Sequence, residues 1–270
     1  MSVSDKVFDG RIPELYEAHL VPLIFEPYAV DLAQRLAARP LSRVLECAAG
    51  TGVVTRRLAA VLDDGVEIVA TDLNRPMLDH AAAIGTARPV EWREANAMEL
   101  PFADGTFDAV VCQFGIMFFP DKAKAFAEAR RVLRPAGVLI FSTWDRIEEN
   151  EFADIVTSAV GSLFPADPPR FLARTPHGYH DRATIERDVA IGFGSAPRIE
   201  TVAKRSLAAS ARVPAVAYCE GTPLRNEIVK RDPTRLAEAT AVAAEAIAQR
   251  SGVGPVDGKI QAHVVTVERS

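Results

Sequence analysis

Glu46 closes a short apolar run, residues 44–47, and a turn with almost no side chain follows it: Ala48, Ala49, Gly50, Thr51 and Gly52. Val53, Val54, Leu58 and Leu62 then recur at helical spacing. A strand, a tight turn and a helix in this order let backbone approach a ligand closely. Neither G-x-G-x-x-G nor G-x-x-x-x-G-K-[ST] is present, so the turn is not committed to phosphate. An acid at the carboxyl end of the strand repels a pyrophosphate and attracts an ammonium group. Asp72 ends a second short strand, about 20 residues beyond the glycines, where βαβ cofactor folds place an acid that accepts hydrogen bonds from ribose hydroxyls. Farther on, His177 and His180 sit on a loop with Tyr179 between them and Pro176 before them. Histidine titrates near neutral pH, so either could take a proton from an oxygen or nitrogen nucleophile, with Tyr179 orienting it; the alternative is that all three pack and cap the loop.

These side chains need elements to hold them. Residues 13–20 and 27–38 carry two helical patterns, the second with Ala29, Leu32, Ala33 and Leu36 on one face, and they either pack on a sheet edge or form a lid. Tyr16, His19, Phe25 and Tyr28 are the residues that favour a lid. Asn74 reads as a helix N-cap with Pro76 in the first turn. Residues 90–94 read as a third short strand, and residues 107–113 as a buried central strand, apolar almost throughout because both faces are covered. Asp121 caps a helix with a Phe126, Ala129, Val132, Leu133 stripe, and R-P-A-G turns the chain into a strand over 138–144. Beyond that, residues 151–163 and 181–190 read as helices, 198–206 and 261–268 as strands, and the alanine-rich stretch 213–252 as an inserted helical cap.

The segment E-C-A-A-G-T-G, residues 46–52, resembles the first motif of the class I S-adenosylmethionine (SAM)-dependent methyltransferases, usually D/E-x-G-x-G-x-G, with Ala48 where the first glycine is usual. A-N-A-M-E-L-P-F, residues 95–102, and F-D-A-V, residues 107–110, are similar to motifs of the ubiquinone-biosynthesis-like small-molecule methyltransferases, typically G-D-A-x-x-L-P-F and F-D-x-V. R-V-L-R-P-A-G, residues 131–137, resembles R-V-L-R-P-G-G. The likeness spans roughly residues 43–144. It implies SAM as cofactor, with Glu46 at its amino group, Asp72 at its ribose, and Asn96 and Ala97 against adenine. Asn96 replaces the usual aspartate, but an amide still accepts from the adenine amine and can donate to a ring nitrogen. The implied pocket is completed by Tyr16, by Cys47, Ala48, Gly50, Thr51 and Gly52 of the turn, by Leu73, Met77 and Met98, and by Gln113 and Phe114. It also implies in-line methyl transfer to a small-molecule acceptor, which requires no metal. A nicotinamide-dependent oxidoreductase on the same plan, or a catalytically silent SAM binder, are the alternatives.

The fold expected is α/β: a Rossmann-like, seven-stranded, mostly parallel sheet with helices on both faces, its last strand antiparallel, plus a helical cap. Residues 1–40 would be an amino-terminal lid, 41–206 the cofactor-binding core with a helical segment after 145, 207–258 the cap, and 259–270 the final strand. The acceptor pocket is expected between lid, loop 171–180 and cap. Hydrophobic residues at 49%, charged residues at 25% and a net charge of −5 argue for a soluble, globular protein and against a generic nucleic-acid or anionic-membrane binder. The three cysteines read as reduced thiols of a cytoplasmic protein. The apolar run 20–30 is broken by Pro22, Glu26 and Pro27 and too short to cross a bilayer. His177 and His180 are the one close histidine pair, and no metal site is expected. Phe114, Phe118 and Phe119 could cover an aromatic substrate or serve as core.

Overall fold

The computed structural model describes residues 12–252 and 254–270. Seven strands form one sheet in the order β3-β2-β1-β4-β5-β7-β6. They are β1 (Arg43–Cys47), β2 (Glu67–Asp72), β3 (Glu91–Glu94), β4 (Phe107–Gln113), β5 (Leu133–Trp144), β6 (Arg198–Ala208) and β7 (Val256–Glu268). The first five pair in parallel, and β7 runs antiparallel to both β5 and β6. Parallel neighbours need crossovers, supplied here by α3 (Val53–Val61), α4 (Arg75–Ile84) and α5 (Lys122–Val132). Strand order reverses between β1 and β4, which opens a crevice at their carboxyl ends.

Alternation along β1 places helices on both faces. The Glu46 carboxylate meets Thr55 of α3, whereas the next residue, Cys47, lines a small apolar space with Ala125 and Phe126 of α5. Caps set helix ends where expected: Asp121 accepts from the Lys124 amide at 2.9 Å to start α5, and Asp181 from Thr184 at 2.8 Å to start α8 (Arg182–Phe193), which Gly194 ends at φ 79°. Asn74 does occupy the N-cap position of α4 with extended backbone, but its side chain makes no capping bond and turns to Asp72 instead.

The amino-terminal segment differs from two separate helices. α1 (Ile12–Leu15), a π-helical stretch (Tyr16–Phe25) and α2 (Glu26–Ala37) follow one another without a break. The Glu26 amide bonds the Val21 carbonyl, five residues back, so Pro22 falls inside a wider coil rather than ending a helix. Ion pairs Arg56–Glu17 (2.5 Å) and Arg57–Glu26 fasten this rod to α3, and Tyr28 donates to the Val202 carbonyl of β6 at 2.9 Å.

After β5 come α6 (Glu151–Leu163), the short α7 (Phe171–Arg174) inside the Pro-rich stretch, and α8. Between β6 and β7 lie α9 (Arg212–Glu220), α10 (Leu224–Arg231) and α11 (Leu236–Ser251). β7 begins at Val256, five positions before the alternation 261–268 announces it, because Gly258 and Lys259 blur the early pattern. The cysteines are free and buried, and no helix among the described residues is long and apolar enough to cross a membrane.

Candidate active site

The turn after β1 is built from left-handed backbone: φ is 55° at Ala48, 58° at Gly50 and 83° at Gly52. Asp72 braces it from β2. One carboxylate oxygen accepts from the Gly50 amide at 2.8 Å, and the other from the Asn74 amide at 2.8 Å and the Asn74 side chain at 3.3 Å. Burial raises the Asp72 pKa, against the pull of these donors. Glu46 lies deeper, 1% exposed, with Thr55 donating to its carboxylate at 2.5 Å. Burial pushes its pKa up to about 8, with the Thr55 bond opposing.

A cleft lies along these strand ends. From the turn and β2 it is lined by Ala48, Gly50, Asp72, Leu73 and Met77. Asn96, Ala97 and Met98 form its far wall, and Tyr16, Gln113 and Phe114 its near one. Asn96 Oδ1 accepts from the Met98 amide at 3.0 Å, which fixes the amide in the wall. Glu46, Cys47, Thr51 and Gly52 are not part of this lining. Cys47 points to the opposite face of the sheet, the Thr51 hydroxyl is buried without a partner among the described residues, and the Glu46 carboxylate is turned to Thr55 of α3. A Cβ on Gly52 would come within 3.0 Å of Trp92 and 3.1 Å of Ala81, so this glycine serves helix–sheet packing. Phe118, Phe119 and Pro120 also line the cleft, contributed by the turn that follows β4, where the run F-G-I-M-F-F is the sequence signal. The side chains fit SAM: an acid for hydroxyls, an amide and apolar neighbours for a purine, and in Gln113 a buried amide oxygen with no partner.

A second cavity adjoins the first at Tyr16, Phe114 and Phe118, which line both. Its walls come from the π-helical stretch (Leu20, Ile24, Phe25), from Phe171 and His177, and from Tyr218 and Thr222 near the end of α9. Among the described residues no Asp, Glu, Lys or Arg lines it. Phe114 is held at φ 53°, an uncommon region for a bulky side chain, and its ring stacks on Trp144 at 3.8 Å and 4°. Tyr28 packs edge-on against both rings.

The three residues expected to handle a proton are separated by the fold. His177 lines the second cavity, 5% exposed, and its Nδ1 lies 2.8 Å from the Asp145 carbonyl. A carbonyl only accepts, so Nδ1 carries the proton and Nε2 is left as a base. Burial lowers the His177 pKa to about 4, so the ring is neutral near pH 7. His180 turns its Nδ1 to the His177 carbonyl at 2.8 Å, and the Tyr179 hydroxyl donates to Asp188 at 3.1 Å. Neither lines the cavity, and Tyr179 does not orient His177: the Asp145 carbonyl does. Trp144 and Asn150, at the end of β5 and beyond it, join the lining although no motif announced them.

Comparison with known proteins agrees with this geometry. Residues 45–141 match the family described as "Methyltransferase domain". The chain is 30% identical over 176 residues to the ubiquinone/menaquinone biosynthesis C-methyltransferase of Teredinibacter turnerae, covering 60% of this chain and 70% of that protein. It is 44% identical over 117 residues to the demethylmenaquinone methyltransferase of Thermus thermophilus, covering 42% and 50%. In fold it is similar to phosphoethanolamine N-methyltransferase 2 of Haemonchus contortus, solved with S-adenosylhomocysteine bound, at TM-score 0.59 and 17% identity over 96% of this chain and 57% of that one. The chain belongs to the class I SAM-dependent methyltransferases, in the ubiquinone-biosynthesis-like group.

Proposed function

We propose that the protein transfers a methyl group from SAM to a small, uncharged, mainly apolar acceptor held in the aromatic cavity. One observation carries this reading: an apolar cavity, lined by no charged side chain among the described residues, adjoins the cofactor cleft and contains a neutral histidine with one basic nitrogen. SAM supplies an electrophilic methyl on a sulfonium. Asp72 accepts from its ribose, Asn96 and Ala97 hold its adenine against Leu73 and Met77, and Glu46 attracts its ammonium through the turn. The rings of Tyr16, Phe114 and Phe118 exclude water where the cavities meet, and His177 Nε2 takes the proton from the acceptor's nucleophilic atom. An ionic acceptor would leave a charge unpaired in this cavity, a cost of several kcal/mol. Relatives named for ubiquinone and menaquinone biosynthesis support an acceptor of apolar character.

Calorimetry with SAM, S-adenosylhomocysteine and NAD tests the cofactor, and turnover on matched panels of uncharged aromatic and zwitterionic amine acceptors tests the rest. Binding of NAD instead of SAM, or turnover confined to charged amines, would remove this reading.

A further inference from the structure

Gln113 ends β4 in the lining of the cofactor cleft and is joined to the amino-terminal rod: its Nε2 donates to the Phe25 carbonyl at 3.3 Å. The orientation of the amide follows, since the oxygen cannot face another carbonyl. Oε1 is therefore turned away from Phe25, and it is buried with no hydrogen-bond partner among the described residues. A buried acceptor left unmade is unfavourable, and the side chain lines the cofactor cleft, where a donor can reach it. The residue that follows, Phe114, lines both cavities, so the part of the cofactor nearest Gln113 is the end that carries the sulfonium. That end also carries the ammonium, a cation with N–H donors.

We infer that Gln113 couples cofactor occupancy to closure of the acceptor cavity, its Oε1 accepting from the amino-acid end of the cofactor while its Nε2 holds Phe25. The inference rests on SAM as cofactor. Phe25, Ile24 and Leu20 form one wall of the acceptor cavity. The rod is otherwise held by its buried apolar face, by Tyr28 on the Val202 carbonyl, and by the ion pairs Arg56–Glu17 and Arg57–Glu26, whose partly exposed side chains contribute little; none of these polar contacts involves a residue that lines the cofactor cleft. The amide bond to Phe25 is a hydrogen bond between the rod and a residue that lines the cleft. Cofactor thus binds first and completes the wall against which the acceptor packs, and linkage requires that a bound acceptor tighten the cofactor by the same factor.

Two variants separate the two ends of the amide. Gln113→Glu keeps an acceptor for the ammonium and loses the donor to Phe25; Gln113→Leu loses both. Affinity for S-adenosylhomocysteine is measured by calorimetry, and amide hydrogen exchange of residues 16–25 is followed with and without it at saturation. In the natural protein the ligand should slow exchange across 16–25. Gln113→Glu should bind at least as tightly with that protection lost, and Gln113→Leu should bind about tenfold more weakly, also without protection. Unchanged ligand-dependent protection in either variant, or unchanged affinity in Gln113→Leu, overturns the inference. Should Gln113→Leu not fold, Gln113→Glu decides. Failure of the natural protein to bind either SAM or S-adenosylhomocysteine would instead overturn the cofactor reading.

Discussion

Ala136 offers a test in which backbone conformation is isolated from packing. It stands where the R-P-G-G motif has glycine, its φ is 63°, and its side chain is exposed. The conformation is imposed from outside: the Ala136 amide donates to the Arg269 carbonyl at 2.8 Å, and the Arg269 amide to Gly137 at 2.8 Å. For an L-residue, left-handed backbone costs about 1–2 kcal/mol. Replacing alanine with glycine removes that strain and adds unfolded-chain entropy worth about 0.4–1 kcal/mol. Ala136→Gly should therefore stabilise the protein by about 0.5–1 kcal/mol, raising the melting temperature by about 1–4 °C in a chain of this size. The cofactor affinity should not move, since the turn lies at the opposite end of β5 from Trp144. Thermal and urea unfolding of the ligand-free protein measure the effect. Ala136→Val, whose branched side chain tolerates this region worse, should fall below the natural protein. A lower melting temperature for the glycine variant would refute the reasoning, since no buried contact is lost that could mask the relief of strain.

The other predictions concern the site. Glu46, with its pKa raised to about 8 by burial, is about nine-tenths protonated at pH 7 and must ionise to attract the cofactor's ammonium, so SAM binding should release close to one proton. Calorimetry in buffers of different ionisation enthalpy reads this, and Glu46→Gln should abolish the release. The same raised pKa favours the ligand-free fold below the unfolded value near 4.5, and that contribution fades as pH rises through about 8. Asp72→Ala should weaken SAM binding at least tenfold; because Asp72 also holds the Gly50 and Asn74 amides, it should cost about 1–3 kcal/mol in the ligand-free protein, read by urea unfolding. His177→Ala should lower the methyl-transfer rate at saturating SAM by about 10² or more once an acceptor is in hand, and a smaller loss would remove His177 as the base. Its lowered pKa means the unfolded chain takes up a proton before the native one does, so stability attributable to His177 should be lost as pH falls from about 6.5 through 4.

What could be read ahead of the structure follows the physics of each element. β1 and β4 are buried on both faces, so their apolar runs announce them, and the acids at strand ends and the glycine turn are local patterns. The elements that bound the cleft were legible for that reason. Residues chosen by proximity in sequence fared less well: Cys47 sits one position from Glu46 and, because strands alternate, faces the other way. The continuity of the amino-terminal rod was hidden because Pro22 and Pro27 ordinarily end a helix, and a π-helical stretch has a spacing that no 3.6-residue pattern reveals. Phe114 on Trp144, and Gln113 against Phe25, bring together residues from distant parts of the chain. Such meetings depend on tertiary assembly and leave no periodic trace.

The helices α9 to α11 depart from β6 at Ala208 and rejoin the sheet at Val256, and these two residues face each other in the same antiparallel register. To the sheet, the whole excursion is equivalent to a hairpin loop. Closing a longer or shorter loop there changes the entropy only slowly, by about 0.6 kcal/mol per doubling. The segment that supplies Tyr218 and Thr222 to the acceptor cavity can therefore be exchanged without disturbing strand register, so long as its replacement fills the core space of Ala215, Cys219 and Ile247. Chimaeras joined at 208 and 256 should give a library of acceptor cavities on one unaltered methyl-donor platform.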